Sequence, residues 1–383
     1  MFTFFYYLLA LIIYIIAIPY LIFKSFSSKY KDAIPAKFFF KNNLKFKKNN
    51  IWFHACSMGE VNAIKPIIEK YNKEDINLSV ITNTGFEHGL NMKVNVRYLP
   101  FEIFLPFWMT PQKVLLVVEA ELWYILFLVA SKQGTKTILI NARINDKSYK
   151  TYKRFSFFYK YIFKNIDKIF AQSKIDKTRL VELGAKNVEV IGNIKLTTLP
   201  KITKKLIKPN DIVITAGSTH KEEEELILNS WNKNQGKLII VPRHPERFDE
   251  VFELIRTFCN NKNITFSRYS KLTNFNSDII LIDKMGELNN IYAISDIVIL
   301  GGSFIHSAGG HNPIEPAFFK CKLISGKTIF NQKSLFECVI DYKLVDAYEL
   351  PKVLHNSNKL KKTSLVQSGN IEPIINEINN TKG

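Results

Sequence analysis

The chain has 383 residues, enough for two domains of ordinary size that each bury a hydrophobic core. Its composition is globular, with 46% hydrophobic and 23% charged residues, and its formal net charge of +19 favours anionic partners. Four cysteines have neither metal-ligand nor disulfide spacing, and we interpret them as reduced thiols in a cytosolic compartment. The charge alone is equally compatible with a lysine-rich proteome.

The first element is an apolar segment, residues 2–23, that contains no charged side chain. At about 1.5 Å per helical residue, the segment is long enough to span a bilayer core of roughly 30 Å. Four lysines follow it at positions 24 to 37, which places the domains in the cytoplasm by the positive-inside rule. A signal peptide is disfavoured, because no basic stretch precedes the segment. We predict a single-pass anchor over residues 1–24, with a helix lying in the membrane interface as the open alternative.

Short apolar strands then alternate with helices, a pattern that predicts two successive βα arrays. Continuous apolar runs are typical of strands that are buried on both faces of a parallel sheet. The predicted strands are residues 51–54, 78–82, 114–118, 137–140, 168–171 and 188–191 in the first array, and 212–216, 238–241, 279–282, 297–300 and 323–325 in the second. A polar, lysine-rich stretch between Pro200 and Pro209 predicts the linker.

The predicted fold class is therefore α/β, with two doubly wound, Rossmann-like domains that face each other across a cleft. We expect an N-terminal domain of residues 25–200, a linker of residues 201–210 and a C-terminal domain of residues 211–383. Open sheets of this kind bind ligands beyond the carboxyl ends of their strands. The segments that follow each strand are therefore the candidate sites.

Two acidic motifs follow strands of the first array. His54-Ala55-Cys56-Ser57-Met58-Gly59-Glu60 places Glu60 near the start of a helix, where its carboxylate can accept a proton from an attacking hydroxyl. An ordinary glutamate that complements the helix dipole is the alternative. Glu119-Ala120-Glu121-Leu122-Trp123 follows another strand and carries two carboxylates two residues apart. They position a catalytic group, or one of them is protonated and donates a hydrogen bond. The alternative is one buried structural glutamate and one solvated glutamate.

Three further motifs follow strands of the second array. In Gly217-Ser218-Thr219-His220-Lys221-Glu222, residues Thr219 and Glu222 have the spacing of a capping box. Arg243, in Pro242-Arg243-His244-Pro245-Glu246-Arg247, can bind a phosphate in a bidentate manner or form a surface salt bridge. Met285-Gly286-Glu287-Leu288 follows the next predicted strand.

A glycine-rich turn, Gly309-Gly310-His311-Asn312-Pro313-Ile314-Glu315-Pro316-Ala317, follows the strand at 297–300 and precedes an apparent helix. Glycines allow close approach of the backbone to an anion, and the helix start supplies free N–H groups. The polar side chains of the turn can also read a ribose or a base. The sequence contains no P-loop, no GxGxxG after the first strand and no metal-ligand cluster.

Taken in order, these motifs resemble those of the 3-deoxy-D-manno-octulosonic acid (Kdo) transferases of lipid A assembly. The matching segments are 54–60, 98–102, 119–123, 141–143, 192–195, 216–220, 242–247, 285–288 and 309–317, and they extend over nearly the whole chain after the anchor. The sequence departs from the family at Ala120, Tyr124 and Asn145, where Thr, Pro and Ser are usual, and it is short between Gly85 and Tyr98. All of these departures lie in the predicted N-terminal domain, the part that binds the acceptor in this family.

The resemblance implies a GT-B glycosyltransferase of lipopolysaccharide inner-core synthesis that needs no metal and no other cofactor. It implies CMP-Kdo as the donor and the tetraacylated lipid A precursor (lipid IVA) as the acceptor, at the inner membrane. The first domain would bind the acceptor and the second the sugar nucleotide. The family's catalytic base falls on Glu60, and its transition-state stabilisers fall on Glu121 and Lys195. Its CMP contacts fall on Pro242, Arg243, Met285, Gly286, Glu287, Asn312, Pro313, Ile314 and Glu315.

The residues leave other functions open. Another GT-B nucleotide-sugar transferase that acts on a lipid carrier would share the fold and the glycine-rich site. A non-catalytic, membrane-bound binder of nucleotides or lipid phosphates would not need Glu60. Nucleic-acid binding rests on charge alone and no recognised module supports it, so we expect no nucleic-acid partner. Anionic lipids of the inner membrane are the expected surface partner.

Overall fold

A computed structural model describes residues 1–27, 30–197, 199–260, 262–304, 308–366 and 368–381. The chain forms two compact units, the first of Met1–Thr198 with Gln367–Gly383 and the second of Leu199–Val366. Each unit contains one seven-stranded parallel sheet, which confirms the predicted α/β class with two Rossmann-like units.

The first sheet consists of β1 (Ile51–Ala55), β2 (Ile76–Val80), β3 (Asn95–Tyr98), β4 (Val114–Val118), β5 (Lys136–Ala142), β6 (Lys168–Ala171) and β7 (Val188–Val190). The strands lie in the order β3-β2-β1-β4-β5-β6-β7. Chain order reverses between β1 and β4, so this is the topological switch point at which doubly wound sheets bind ligands. Strand β3 was not predicted because it is an edge strand whose residues are alternately buried and partly exposed.

Successive residues of the central strands point to opposite faces of the first sheet and enter two separate cores. Phe53 and Ala55 of β1 belong to one apolar cluster, whereas Trp52 belongs to the other. All five residues of β4 are buried. Burial on both faces explains why these strands appear in the sequence as continuous apolar runs.

The helices of the first unit are α1 (Phe2–Ser25), α2 (Ala33–Phe39), α3 (Met58–Ile68), α4 (Asn83–Asn91), α5 (Leu105–Trp108), α6 (Tyr124–Lys132), α7 (Asp146–Arg154), α8 (Ser156–Phe163) and α9 (Lys174–Glu182). Asn145 is the N-cap of α7, and its side-chain oxygen accepts a hydrogen bond from the backbone N–H of Ser148 at 2.8 Å. Asn and Ser are both strong N-caps, so this departure from the family keeps the local structure.

The second sheet consists of β8 (Val213–Thr219), β9 (Lys237–Pro242), β10 (Phe266–Arg268), β11 (Ile279–Leu281), β12 (Ile297–Leu300), β13 (Lys322–Gly326) and β15 (Lys343–Val345). Its order is β10-β11-β9-β8-β12-β13-β15, and its switch point lies between β8 and β12. Strand β14 (Val339–Ile340) pairs with β16 (Ser364–Leu365) in a separate antiparallel ladder. The helices are α10 (Glu223–Ser230), α11 (Phe248–Cys259), α12 (Leu288–Tyr292), α13 (Ile314–Phe318), α14 (Lys333–Phe336) and α15 (Leu350–His355).

The last helix, α16 (Glu372–Asn379), belongs to the first unit. Its residues Ile374, Ile375 and Ile378 enter the same apolar cluster as the strand residues Phe53 and Ala55. The predicted C-terminal domain of residues 211–383 therefore differs from the observed units at its end. An amphipathic pattern indicates that a helix has an apolar partner, but it does not indicate which domain supplies that partner.

Residues 201–210, the predicted linker, contain neither helix nor strand and belong to the second unit. The backbone N–H of Thr203 donates to the side-chain oxygen of Asn290 at 2.9 Å, and Leu206 packs against an apolar cluster of that unit. The segment is therefore held on the surface of the second unit by specific contacts.

Helix α1 is, among the described residues, the one helix long and apolar enough to span a membrane, with a mean hydropathy of 2.3. An N-terminal apolar helix of this kind fits a membrane anchor. Lys24 lies in its last turn. Lys29, one of the four lysines of the predicted cytoplasmic flank, lies outside the described residues.

Candidate active site

The predicted catalytic residues of the first unit meet at its switch point. Strands β1 and β4 are paired neighbours, so the segments that leave their carboxyl ends lie side by side. Glu60 follows β1, and Glu121 follows β4. The structure therefore brings together two of the three catalytic candidates through the pairing of strands that are 63 residues apart in register.

Glu60 lies in the first turn of α3, and only 9% of the residue is exposed. One carboxylate oxygen accepts a hydrogen bond from the backbone N–H of Cys56 at 2.7 Å, and the other accepts one from the Ser57 hydroxyl at 3.0 Å. Burial, and secondly the charge of Glu119, raise the pKa of Glu60 to about 7. A carboxylate with this pKa is suited to general base catalysis near neutral pH. Glu60 thus stabilises the helix start, and its raised pKa makes it a candidate for proton transfer.

Glu121 and Cys56 lie next to Glu60. One oxygen of Glu121 accepts a hydrogen bond from the indole N–H of Trp123 at 2.8 Å, and burial raises the pKa of the Glu121 carboxyl. One ligand atom from each of Cys56, Glu60 and Glu121 lies within 4.8 Å of the other two, so tertiary structure forms a potential ligand cluster that sequence spacing did not predict. Burial and the two carboxylates raise the pKa of the Cys56 thiol, which disfavours the thiolate needed for tight metal binding.

Lys195, the third catalytic candidate, is paired with Glu119. Its ammonium nitrogen lies 2.5 Å from a carboxylate oxygen of Glu119, and only 6% of the lysine side chain is exposed. Glu119 has a positive φ of 58°, an uncommon conformation for a residue other than glycine. The sequence identified Glu119 only as one of two nearby carboxylates. The backbone conformation that turns it toward Lys195 has no signature in the sequence.

Asn141 supports this ion pair from the end of β5. It is fully buried, and its side-chain oxygen accepts a hydrogen bond from the backbone N–H of Ile194 at 3.0 Å. The bond fixes the 3-10 turn of Ile194–Leu196, which carries Lys195. The Asn141–Arg143 motif therefore has a structural role at the site that its sequence did not reveal.

A second cation lies near the cluster. Lys37 of α2 donates to the carbonyl oxygen of Ile81 at 3.3 Å and interacts electrostatically with Cys56. Burial lowers the pKa of its ammonium group. The sequence assigned Lys37 to the charged flank of the anchor, because nothing local to residue 37 indicates proximity to β1.

In the second unit, Arg243 follows β9 and is exposed. Burial raises the pKa of Glu315, and a hydrogen bond from Asn312 and the positive charge of Arg243 partly oppose this shift. The imidazoles of His220 and His311 are stacked, and their Nε2 atoms lie 2.8 Å apart. Burial is the main cause that lowers the pKa of His311 to about 4, so the pair is neutral at neutral pH. Because the charge of Arg243 acts on both His311 and Glu315, its side chain lies close to the glycine-rich turn.

The glycine-rich turn adopts the expected backbone, but its helix is short. Gly309 and Gly310 have φ values of 71° and 88°, which only glycine adopts readily. Helix α13 has five residues, and the side-chain oxygen of Asn312 accepts a hydrogen bond from the backbone N–H of Ile314 at 3.0 Å. One of the helix-start N–H groups is therefore already occupied. The dipole contribution expected for a longer helix is correspondingly reduced.

The Met285–Glu287 loop is less closely connected to this site. Met285 is exposed, and Gly286 has a φ of 85°. Glu287 is buried and accepts a hydrogen bond from the side chain of Asn290 at 2.8 Å. Within the part of the chain that the structure describes, no hydrogen bond links this loop to Arg243 or to residues 312–315.

Glu223 is a structural residue that the sequence did not reveal. Its carboxylate is 1% exposed and accepts hydrogen bonds from the backbone N–H groups of His220, Gly302, Ser303 and Phe304. It thereby joins the loops that follow β8 and β12 at the switch point. The predicted capping box is wrong, because Thr219 is a residue of β8 whose hydroxyl donates to Glu224 at 2.8 Å.

Comparison with known proteins identifies the family of the chain. The sequence profile of the 3-deoxy-D-manno-octulosonic-acid transferase (kdotransferase) family matches residues 32–198. The 3-deoxy-D-manno-octulosonic acid transferase of Haemophilus influenzae is 32% identical over 346 residues, which cover 82% of this chain and 79% of that protein. A bifunctional glycosyltransferase/methyltransferase of Fusobacterium nucleatum is 35% identical over 77% of this chain, and the match spans half of that relative's length.

Among solved structures, the C-terminal CMP-Kdo binding domain of WaaA from Acinetobacter baumannii is 32% identical, with a TM-score of 0.33. The match covers 38% of this chain and 80% of that domain. Two Rossmann-like units with site residues at both switch points have the architecture of the GT-B glycosyltransferases. The chain belongs to the 3-deoxy-D-manno-octulosonic acid transferase family, as the Haemophilus relative establishes. The resemblance noted from the sequence motifs is confirmed.

Proposed function

We propose that the protein transfers Kdo from CMP-Kdo to the tetraacylated lipid A precursor, with Glu60 as the general base. The observation that carries the proposal is the position of Glu60 at the first switch point with a pKa of about 7. A glutamate with an ordinary pKa would be a weaker base for a sugar hydroxyl. Family membership supports the donor and the acceptor class.

In the proposed reaction, the acceptor hydroxyl attacks the anomeric carbon of Kdo while its proton passes to the Glu60 carboxylate. The bond between the anomeric carbon and the phosphate oxygen breaks, and CMP leaves with the electron pair. Lys195, held by Glu119, would stabilise negative charge that develops during the transfer. Glu121, whose pKa is raised by burial, would stabilise the transition state by hydrogen bonding.

The donor would bind to the second unit. Arg243 would hold the CMP phosphate, and the residues at 312–315 would contact the nucleotide from the glycine-rich turn. The exposure of Arg243 and the partial burial of Glu315 support a phosphate contact for the former and a ribose contact for the latter. Pro242 and the Met285–Glu287 loop would complete the nucleotide contacts, as the family implies.

We infer that the reaction needs no metal ion. The charge that a divalent cation would supply is already provided in the first-unit cluster by Lys195, whose side chain is almost completely buried. The raised pKa of the Cys56 thiol also makes the Cys56–Glu60–Glu121 cluster a poor metal site. Transfer is expected to continue in excess EDTA. Loss of transfer with EDTA, and recovery with a divalent cation, would contradict this part of the proposal.

We also propose that the domains lie on the cytoplasmic side of the inner membrane. The apolar helix α1, the net charge of +19 and the lysine-rich flank of α1 support association with an anionic leaflet. The acceptor is itself an anionic lipid of that leaflet. We expect no nucleic-acid partner.

The decisive experiment supplies purified full-length protein with CMP-Kdo and the lipid A precursor and detects product by mass. We expect a mass increase of one or more Kdo residues for the wild type and a strongly reduced yield for Glu60→Gln. Binding of UDP or GDP in preference to CMP, without Kdo transfer, would instead indicate a different nucleotide-sugar transferase.

A further inference from the structure

Helix α1 packs along the first unit through the hydroxyl groups of one face. Thr3 shares a hydrogen bond with the hydroxyl of Tyr124 at 2.7 Å, and the Tyr14 hydroxyl donates to the carbonyl oxygen of Phe38 at 2.8 Å. Between them, the Tyr7 hydroxyl donates to the carbonyl oxygen of Ile103. Positions 3, 7 and 14 are separated by one and two turns, so they lie on the same side of the helix.

A further contact of α1 involves Glu102, which the proposed catalysis does not use. Glu102 is 5% exposed, and one of its carboxylate oxygens accepts a hydrogen bond from the backbone N–H of Ile125 at 2.8 Å. The other oxygen accepts a hydrogen bond from the hydroxyl of Tyr6. If α1 moved away from the unit, this oxygen would lose its partner at a buried position, which is costly. The helix is therefore part of the folded unit.

Aromatic contacts extend the packing along the helix. Phe2 stacks on Tyr161 of α8 with a centroid separation of 4.1 Å, and Tyr14 meets Phe104 edge to face at 5.0 Å. Residues 2 and 14 are separated by about 18 Å along a helix, which is more than half the thickness of a hydrocarbon core. The contacts thus occupy much of the length that a spanning helix needs for lipid.

These contacts are incompatible with a helix that crosses the bilayer away from its domain. Crossing would either break them or draw the α6 and α8 surface into the hydrocarbon. It would also expose the hydroxyls of Thr3, Tyr6 and Tyr14 to an environment without hydrogen-bond partners, which is unfavourable for such groups. Both alternatives are unfavourable.

The opposite face of α1 is apolar and exposed. Phe4 and Ile16, for example, are 67% and 74% exposed. A groove beside the helix is lined by Phe5 and Leu9 of α1 and by Phe155 and Phe157 at the start of α8, all of them exposed. The apolar surface therefore continues from the helix onto the body of the first unit. The α7–α8 segment that supplies part of this groove also carries the exposed basic residues Lys150, Lys153, Arg154, Lys160 and Lys164.

We propose that α1 is an in-plane membrane anchor, docked along the first unit and inserted by its exposed face into a single leaflet. An interfacial helix needs one apolar face for the lipid and one face whose polar groups are satisfied. In this protein, hydrogen bonds to the first unit, rather than to water, satisfy the polar groups on the second face of α1. The N-terminus and both units consequently stay on the same side of the membrane. This arrangement replaces the single-pass anchor predicted from length and hydropathy, and it does not depend on the sugar that is transferred.

The test is the sidedness of the two termini. The full-length chain carries one epitope tag before Met1 and another after Gly383, and protease is added to intact spheroplasts and to inverted vesicles. We expect both tags to be protected in spheroplasts and both to be cleaved in inverted vesicles. Cleavage of the N-terminal tag from one side and the C-terminal tag from the other would overturn the proposal. Cleavage of both tags only in spheroplasts would contradict the cytoplasmic location while supporting the in-plane anchor.

A matched pair of variants tests the docking itself. Tyr6→Phe removes the hydroxyl that binds Glu102, whereas Tyr20→Phe removes a hydroxyl from a residue that is 61% exposed. In detergent, Tyr6→Phe is expected to lower Tm by about 2–4 °C, because a buried carboxylate oxygen loses its partner. Tyr20→Phe is expected to leave Tm unchanged. Equal Tm values for the two variants would show that α1 is not docked, and would overturn the proposal.

Discussion

The two candidate sites use the same position on two similar sheets but opposite chemistry. In the first unit the switch point gathers the interacting carboxyl groups of Glu60, Glu119 and Glu121, and Glu119 is also paired with the buried Lys195. In the second unit it gathers imidazoles, Arg243 and backbone loops that are held by the buried Glu223. In each unit the sheet topology brings loops together at the switch point, and the side chains on those loops determine the chemistry of the site.

The difference appears most clearly in the pKa shifts. Burial is the main cause in both units, yet it raises the pKa of Glu60 and lowers the pKa of His311, because it disfavours the charged form of each group. The first site therefore retains a proton that can be exchanged near neutral pH. In the second site the lowered pKa values of His220 and His311 keep this pair neutral, and Arg243 supplies an exposed positive charge. Proton transfer suits the first site, and binding of an anion suits the second.

Glu60→Gln should break the proton chemistry of the first site and leave the second intact. The amide keeps the shape but cannot accept a proton, so turnover is expected to fall by about 10²- to 10⁴-fold. CMP affinity should not change, because the nucleotide is proposed to bind to the other unit. Steady-state transfer assays and CMP titration measure both quantities. Glu69→Gln, at the exposed end of the same helix, is the control, and near wild-type turnover by Glu60→Gln would refute the base assignment.

Arg243→Ala should weaken nucleotide binding to the second unit and leave the proton chemistry of the first unit intact. Removing a charged hydrogen bond to the phosphate is expected to weaken CMP binding by about 10- to 100-fold, without moving the pH profile of turnover. Arg256→Ala, at an arginine on α11 that pairs with Glu253 on the surface, is the matched control. Calorimetric titration with CMP compares the two. Equal affinities would place the phosphate site elsewhere.

The pH dependence of turnover tests whether neighbouring charges set the pKa of Glu60. Since the ionised form of Glu60 is the base, turnover should rise as pH increases through about 7. Glu119→Gln removes a negative charge that raises the pKa of Glu60 and leaves Lys195 without its partner. Both changes favour the carboxylate, so the acidic limb should move to lower pH. An acidic limb that stays in place, or moves to higher pH, would contradict the charge coupling.

A smaller effect is expected on stability. The folded state raises the pKa of Glu60 from 4.5 to about 7, so it binds this proton more tightly than the unfolded chain does. The cost of the ionised group is therefore absent below pH 4.5 and complete above pH 7. Glu60→Gln stays neutral, and its Tm relative to the wild type should increase by a few degrees between pH 5 and pH 8. A constant Tm difference across this range would argue against the raised pKa.

Elements with a local signal could be predicted from the amino-acid sequence. Strands β4, β6 and β12 match the predicted ranges 114–118, 168–171 and 297–300, because burial on both faces requires a continuous apolar run. Edge strands such as β3 and β10 were not predicted, since strands at the margin of a sheet are less buried and carry polar residues. The family also followed from the sequence, because its motifs are strings of adjacent residues.

Which residues meet depends on tertiary contacts that local sequence patterns do not indicate. The pairing of Lys195 with Glu119, the entry of Lys37 into the site and the return of α16 to the first unit all join segments that are far apart in the chain. The same is true of α1, whose hydropathy predicted a membrane helix but whose contact with Glu102 lies 96 residues away. Local sequence patterns indicate which residues of a segment must be buried, but they do not indicate which other segment covers them. The pKa of Glu60 depends on burial and on charges from other segments, so it could not be predicted from the sequence.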